Sequence, residues 1–492
     1  MFTSEPGAAR PTWGQPRRMG QLGLAAALAT GAAVGVGWTL TETGAVVGIA
    51  LAAAGLLAVS IPFAIWFTRS ERLAGMVSSA RAWAVDLALV FVFVESCWPA
   101  IYRGPSGVRI ADVAAFGLAL AGTPRLAAFR SRYMALLALS FALMCAGALL
   151  SATRSGGTSA DLDAMLRAGF VMLVLPLALV KHVTSERRLR LSLVAVVASA
   201  AVASLAALIT KATGAWFLPF ADHFEGSRAY GLSTHPILFG MVAGSAIPLA
   251  LGLAWVGGSK ERALAVLSLP LLVAGVILSA SRAPLLATAA SALVLFIVLG
   301  RVRVRMAFRF ALAVIVPAAI AALVFSGSVA RLTSFKAQQS SSLRLSIIEA
   351  AADDIEANPV IGQGAGIIKG VGGLSPGTTY VQRTSTGEPL PGAGANNIVL
   401  GVWRALGVLG VLGLFVALAG AVTAGVRGVR GASMRTRTYC VALLASLTAV
   451  AGSLFLANEV FERRLWLTAG LLIAVAVNLP AGWSSTEREP EP

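Results

Sequence analysis

The sequence predicts an all-α fold: a polytopic transmembrane helical bundle of about 12–14 spans, with one large extracytoplasmic loop containing an amphipathic helix. Three observations carry that expectation. Hydrophobic residues make up 57% of the 492 residues, charged residues 12%, and mean hydropathy is +0.81, a balance that soluble domains of this length do not show. Apolar runs of about twenty residues, the length a helix needs to cross a bilayer, recur along the whole chain. Between them, short basic connections alternate with connections that hold the acidic residues.

The net charge of +17 does not point to nucleic acid, because the basic residues sit at span ends, where an orientation signal places them. Cys97, Cys145 and Cys440 all fall inside apolar runs. Such an odd, scattered set is packing material, neither a disulfide frame nor a metal site. The first apolar run, near 21–40, has no polar cleavage region and leads into another span, so it is expected to be retained rather than removed as a signal peptide.

Taken in order, the expected spans are 20–40, 44–67, 82–101, 108–123, 132–152, 162–181, 189–210, 235–256, 263–280, 283–300, 307–327, 396–423, 438–457 and 463–482. One set of connections is strongly basic, for example Arg69, Arg72 and Arg81, Lys181 to Arg190, Arg301 to Arg309, and Arg427 to Arg437. It is expected to face the cytoplasm. The other set carries Glu42, Asp161, Asp222, Glu225, Glu388, Glu459 and Glu462 and is expected outside. The organisation is then a cytoplasmic tail 1–19, eleven spans within 20–327, an extracytoplasmic loop 328–395, three spans within 396–482 and a cytoplasmic tail 483–492. The expected location is the inner (cytoplasmic) membrane, with the lipid bilayer as surroundings.

The long loop is the one extended polar interruption. Leu343, Ile347, Ala351 and Ile355 fall at helical spacing, as do Leu345, Ile348 and Ala352, which predicts an amphipathic helix. Ser341 or Ser342 can cap its start. Asn358-Pro359 ends it, since the residue before proline avoids the α region. Gly362, Gly364 and Gly366 then predict a mobile or tightly turned connection. No strand precedes them, so they do not form a phosphate-binding loop.

Several polar residues stand out, each with a plain alternative. Arg228 and Arg282 lie on the outer side, where the positive-inside rule disfavours them; they are functional candidates or arginines snorkelling at headgroup level. Arg404 and Arg167 fall within spans, and the structural alternative for Arg404 is pairing with Asp86, Glu95 or Asp112. Asp353-Asp354 reads as solvated charge rather than a metal site, because adjacent carboxylates on a helix diverge. His235 opens a span beside Pro236, while His182 and His223 read as loop residues.

Four pieces together resemble the O-antigen ligase and polymerase superfamily of bacterial membrane glycosyltransferases. They are Ser227-Arg228-Ala229-Tyr230-Gly231 before a span, Ser281-Arg282-Ala283 at a span's outer end, Asn358-Pro359-Val360-Ile361-Gly362-Gln363-Gly364, and a re-entry motif. In that motif the ligases carry His-Asn, nine residues, then Gly-x-x-Gly. Here Asn396-Asn397 is followed by nine residues and Gly407-Val408-Leu409-Gly410, so the spacing matches and the histidine does not.

The resemblance implies transfer or polymerisation of a glycan from a polyprenyl-diphosphate-linked donor to an acceptor hydroxyl, on a glycan or a lipid, outside the cytoplasm, with no cofactor and no metal. It implies that Arg228 and Arg282 bind the diphosphate, whose charge grows as the sugar–oxygen bond breaks. Asn396 stands at the ligases' base position, with Asn397 and Arg404 as further substrate contacts and His235 or Glu356 as bases brought in from neighbouring outer segments. The missing histidine favours a polymerase or an atypical transferase over a ligase. A transporter or flippase of lipid-linked glycans is the competing reading, but it would show two similar halves, and no such repeat is visible. A structural scaffold would leave the outward arginines unexplained. Sidedness is open to test: cysteines placed at Ser375 and Ser433 should label with an impermeant maleimide at 375 and not at 433, and the reverse would sink the topology.

Overall fold

The computed structural model describes residues 71–98, 110–121, 131–155, 159–213, 224–225, 228–233, 235–299, 351–365, 397–431, 433–455 and 462–478, with isolated helical positions between 316 and 349. The expected spans 20–40 and 44–67, most of 307–327 and most of the long loop lie outside them. Two compact units divide the chain, Met1–Trp83 and Ala84–Pro492. In the first, 71–83 are helical; the site lies in the second.

The helices follow the apolar runs. They are α1 (Glu71–Cys97), α2 (Ile110–Leu120), α3 (Arg132–Ser155), α4 (Ser159–Gly169), a π-helical turn (Phe170–Val174) running into α5 (Leu175–His182), and α6 (Glu186–Thr213). A two-residue hairpin, β1 (Phe224–Glu225) with β2 (Arg228–Ala229), precedes α7 (Pro236–Val256), α8 (Ser259–Leu278) and α9 (Arg282–Leu299). After the loop come α10 (Ile398–Gly431), α11 (Met434–Leu454) and α12 (Arg463–Asn478). Among the described residues, seven helical stretches are long and apolar enough to cross a membrane, and Ala111–Leu120 and Arg282–Val298 are shorter apolar helices. The protein is an all-α membrane bundle. Most helix ends agree with the sequence reading to within a few residues; α1 begins at Glu71 rather than 82, and α10 runs to Gly431 rather than 423.

Helix α7 is the central post. Every residue from Pro236 to Leu253 is buried, as a helix apolar on all sides must be. It packs among α6, α8, α9 and α11. Small residues let backbones approach: Gly147 and Gly413 seat α3 on α10, where the Ser140 hydroxyl donates to the Gly413 carbonyl at 2.6 Å. The same contacts fix helix directions. Gly428 lies against Cys440 and Gly452 against Ala287. The start of α10, the end of α11 and the start of α9 therefore share one end of the bundle, together with the start of α7 and the end of α8.

The opposite end holds the basic connections. Arg187 and Arg188 pair with Asp86 at 3.2 and 2.9 Å, and Arg190 with Glu261 at 3.5 Å. His182, read above as a loop residue, ends α5, is buried, and its Nε2 meets the Leu118 carbonyl at 2.6 Å; Lys181 donates to the Ala119 carbonyl at 3.0 Å. The Lys181 ammonium and the His182 ring here cap the C-terminus of α2.

A second polar cluster is buried inside the bundle. Arg463 bridges Glu95 at 3.1 Å and Asp112 at 2.6 Å, and Glu95 is fully buried. Arg464, 2% exposed, donates to the Ser245 hydroxyl at 3.0 Å, to the Val242 carbonyl at 3.4 Å and to the Cys97 sulfur at 2.7 Å. Ser245 lies nine residues into α7, so this cluster sits about 13 Å below that helix's start at 1.5 Å per residue. The carboxylates Glu95 and Asp112 thus pair with Arg463, and Asp86 with Arg187 and Arg188; Arg404 takes another partner. Replacing Arg463 by alanine takes the guanidinium from fully buried Glu95 and half-buried Asp112, a loss on the order of 3 kcal/mol when one partner of a buried pair is removed. Thermal unfolding in detergent should show a large fall in Tm for Arg463→Ala, whereas the exposed Arg435→Ala should stay near wild type.

Candidate functional site

The first group of site residues is built on the turn between α8 and α9. Ala280 has φ of 44°, a left-handed conformation that costs a non-glycine residue on the order of 1–3 kcal/mol. Neighbouring groups over-determine it. The Ser281 hydroxyl donates to the Ser279 carbonyl at 2.9 Å, and the Ser279 hydroxyl to the Val276 carbonyl at 2.7 Å. Arg228, 9% exposed, closes the turn from the hairpin side: its Nη2 donates to the Ser281 hydroxyl at 2.9 Å and its Nε to the Ser279 carbonyl at 3.4 Å. Gly231, at φ of 56°, bends the chain between β2 and α7, and a Cβ there would strike the Phe239 ring. Arg282 begins α9 and is exposed. The structure thus joins Arg228 to the Ser281-Arg282 turn.

The second group is the loop seated on a broken helix. Within α10, Gly407 has φ of 66° and ψ of −165°, which separates Ile398–Leu406 from the longer remainder. The loop fills the break. Gln363 N–H donates to the Arg404 carbonyl at 2.8 Å, and Gly364 N–H to the Ala405 carbonyl at 3.1 Å. The Trp403 indole N–H donates to the Pro359 carbonyl at 2.8 Å. Arg404 pairs with Asp354 at 2.7 Å. A Cβ on Gly362 would run into the Ala405 carbonyl, and one on Gly407 into the Val360 carbonyl. The connection predicted as mobile or tightly turned is therefore turned and fastened. Its helix, 351–357, ends before Asn358 as predicted, with Ala351 and Ile355 buried.

The remaining candidates hold varied positions. Asn397 caps α10: its Oδ1 accepts from Val399 N–H at 2.8 Å and Leu400 N–H at 3.2 Å. His235 caps α7 in the same way, with Nδ1 accepting from Ile237 N–H at 3.1 Å. A nitrogen whose lone pair is so engaged is not available as a base. Glu356 is exposed on the loop helix, and Arg167 is half-buried ahead of the π-helical turn. Asn396 lies outside the described residues. Helix α11 packs against both α9 and α10, so one element braces the arginine turn and the broken helix.

Residues 267–415 match the O-antigen ligase family. The matched segment begins inside α8 and ends inside α10, and so takes in Ser281-Arg282, the Asn-Pro-x-x-Gly-x-Gly loop and the re-entry motif. Arg228 falls outside it and is joined to it by the hydrogen bonds to Ser279 and Ser281. No curated protein matches the chain. Sequence reasoning missed Trp403, which carried no signal of its own, and read Asp354 as solvated charge, whereas it is partly sheltered and paired with Arg404. It also missed Arg463 and Arg464, which met the same test as Arg228 and Arg282: arginine at the end of a span that is expected to face outward.

The close approach of the loop to α10 makes a local prediction. Gly407→Ala combines a disallowed φ with a backbone clash, and Gly362→Ala adds the clash alone. Each should lower stability by more than the ~1 kcal/mol typical of a point change, with Gly407→Ala the worse. Gly117→Ala, where a Cβ meets nothing within 4 Å, is the control. Equal melting of all three in detergent would show that the loop is not seated this way.

Proposed function

We propose that this protein is a membrane glycosyltransferase that moves or polymerises a glycan from a polyprenyl-diphosphate-linked donor onto an acceptor hydroxyl at the outer face of the cytoplasmic membrane. The observation that carries the reading is the Arg228–Ser281–Arg282 turn, at the same end of the bundle as the start of α10 and largely within the O-antigen ligase segment. A diphosphate leaving group gains negative charge as the anomeric carbon–oxygen bond breaks. Arg282 is exposed at the first turn of an 18-residue helix, so its guanidinium and the positive end of α9 act on the same oxygens. Arg228 donates to Ser279 and Ser281 and so holds in shape the turn that presents Arg282, and its positive charge adds to the field at the anion.

The acceptor hydroxyl attacks the anomeric carbon, and its proton must go elsewhere. Asparagine cannot take it near neutral pH. His235 has its Nδ1 engaged as a cap, which leaves Glu356 or the departing diphosphate itself. A missing base would cost only about 10²–10⁴ in rate. The Asn397 oxygen is committed to α10, so its amide nitrogen is the group that can donate to substrate. A broken helix is also a transporter feature, but here loop donors meet the freed carbonyls.

Two sets of variants on a purified lipid-linked donor test the reading. Arg282→Ala should lose on the order of 2–4 kcal/mol of transition-state stabilisation, and Arg282→Lys should recover little because the bidentate fork is gone. Asn396→Ala should also be slow, while His235→Ala should lose stability more than turnover. Wild-type turnover of Arg228→Ala and Arg282→Ala at normal protein level would refute the site. Translocation without product would favour the flippase.

A further inference from the structure

We infer that Arg404 and Asp354 form a positioning pair, which holds the outer piece of α10 and the Asn397 cap at its tip against the loop helix. The inference rests on the reaction proposed above.

The break at Gly407 creates the need for such a pair. Ile398–Leu406 is nine residues, about 13 Å of helix. Its direction is not dictated by the remainder of α10, because Gly407 interrupts the helical path between them. Ile398, Val402, Ala405 and Leu406 bury it against the helix core, and its polar ties run to the loop: two backbone hydrogen bonds to the Arg404 and Ala405 carbonyls, the Trp403 indole on Pro359, and the Arg404–Asp354 ion pair. The backbone bonds pin the lower end of the piece. The ion pair reaches from it to the loop helix, which is itself anchored by buried Ala351 and Ile355. The Arg404 side chain is 13% exposed and that of Asp354 33%, so the pair is partly sheltered and its geometry matters more than that of a surface pair. A guanidinium already met by a carboxylate at 2.7 Å is a poor second ligand for a diphosphate. Arg404 is thereby moved from the donor contacts to the support of Asn397, seven residues away at the tip of the same piece.

Positioning and binding leave different kinetic traces. Asp354→Ala and Arg404→Ala should each lower kcat roughly 10- to 100-fold, the size expected when a reacting group shifts by about 1 Å. KM for the purified lipid-linked donor should change by less than about threefold, because ground-state binding is untouched. Arg404→Lys, which keeps the ion pair, should retain most of kcat. The swapped variant Arg404→Asp with Asp354→Arg should recover at least about tenfold over either single reversal, since the coupling of neighbours is what a cycle measures. A raised KM in Arg404→Ala with Asp354→Ala at wild-type values would overturn the proposal and return Arg404 to the donor.

A readout independent of turnover separates this inference from the reading beneath it. A cysteine at Gln363 should react with an impermeant maleimide several-fold faster once Asp354→Ala opens the clamp, and slow again in the swapped variant. Unchanged labelling would sink the pair whatever the enzyme does. Restored protection in a protein that never turns over the lipid-linked donor would keep the pair and sink the glycosyltransferase reading.

Discussion

A backbone carbonyl inside a bilayer has no water to bond, so each one must find a donor within the protein. Much of this structure answers that constraint. Serines and threonines along α6, α7, α9, α11 and α12 turn their hydroxyls back onto carbonyls three or four residues earlier, as Ser199, Ser204, Ser245, Thr288, Ser453 and Thr468 do. Asn478 donates to the Val180 and Val183 carbonyls where α5 runs out. The break in helical order at Gly407 is tolerated because Gln363 and Gly364 bring donors to it. Irregular backbone at the site is thus bound to the loop motif, and neither could be kept without the other.

Charge is handled by the same rule with a steeper penalty. Arg464 is buried among a hydroxyl, a carbonyl and a thiol, while its neighbour Arg463 meets two carboxylates. Each of these contacts ties the start of α12 to another helix: α1, α2 or α7. The arginine turn above is tied differently, through the Arg228 guanidinium on Ser279 and Ser281 and a strained Ala280. A firm floor and a strained rim suit a site in which only the rim has to meet an incoming anion.

The bundle was legible because apolar length and charged ends are local properties, read a span at a time. The loop helix and its stop at Asn358 were legible for the same reason: spacing and proline act within a few residues. Gly407 and Gly410 were visible as a motif, but which glycine breaks the helix and which packs it depends on Val360 and Leu406 arriving there. Pairings were not legible at all. Arg404 was set against Asp86, Glu95 or Asp112 and found Asp354, because ion pairing follows three-dimensional packing rather than membership of a span. His235 and Asn397 show the opposite difficulty. Their residue types fit chemistry, and their observed hydrogen bonds are those of helix caps.

The Arg463 bridge also bears on how the chain is made. Glu95 and Asp112 precede their partner by 368 and 351 residues. At about 5–20 residues per second of synthesis, they wait on the order of 20–70 s before that arginine exists. Through that interval Glu95 and Asp112 lack the Arg463 guanidinium, and an ionised carboxylate at the centre of a bilayer is penalised by about 3 kcal/mol. The early helices are thus unfinished until the last one docks, and α12 is the latch that commits the ribosome's earlier work to the folded state.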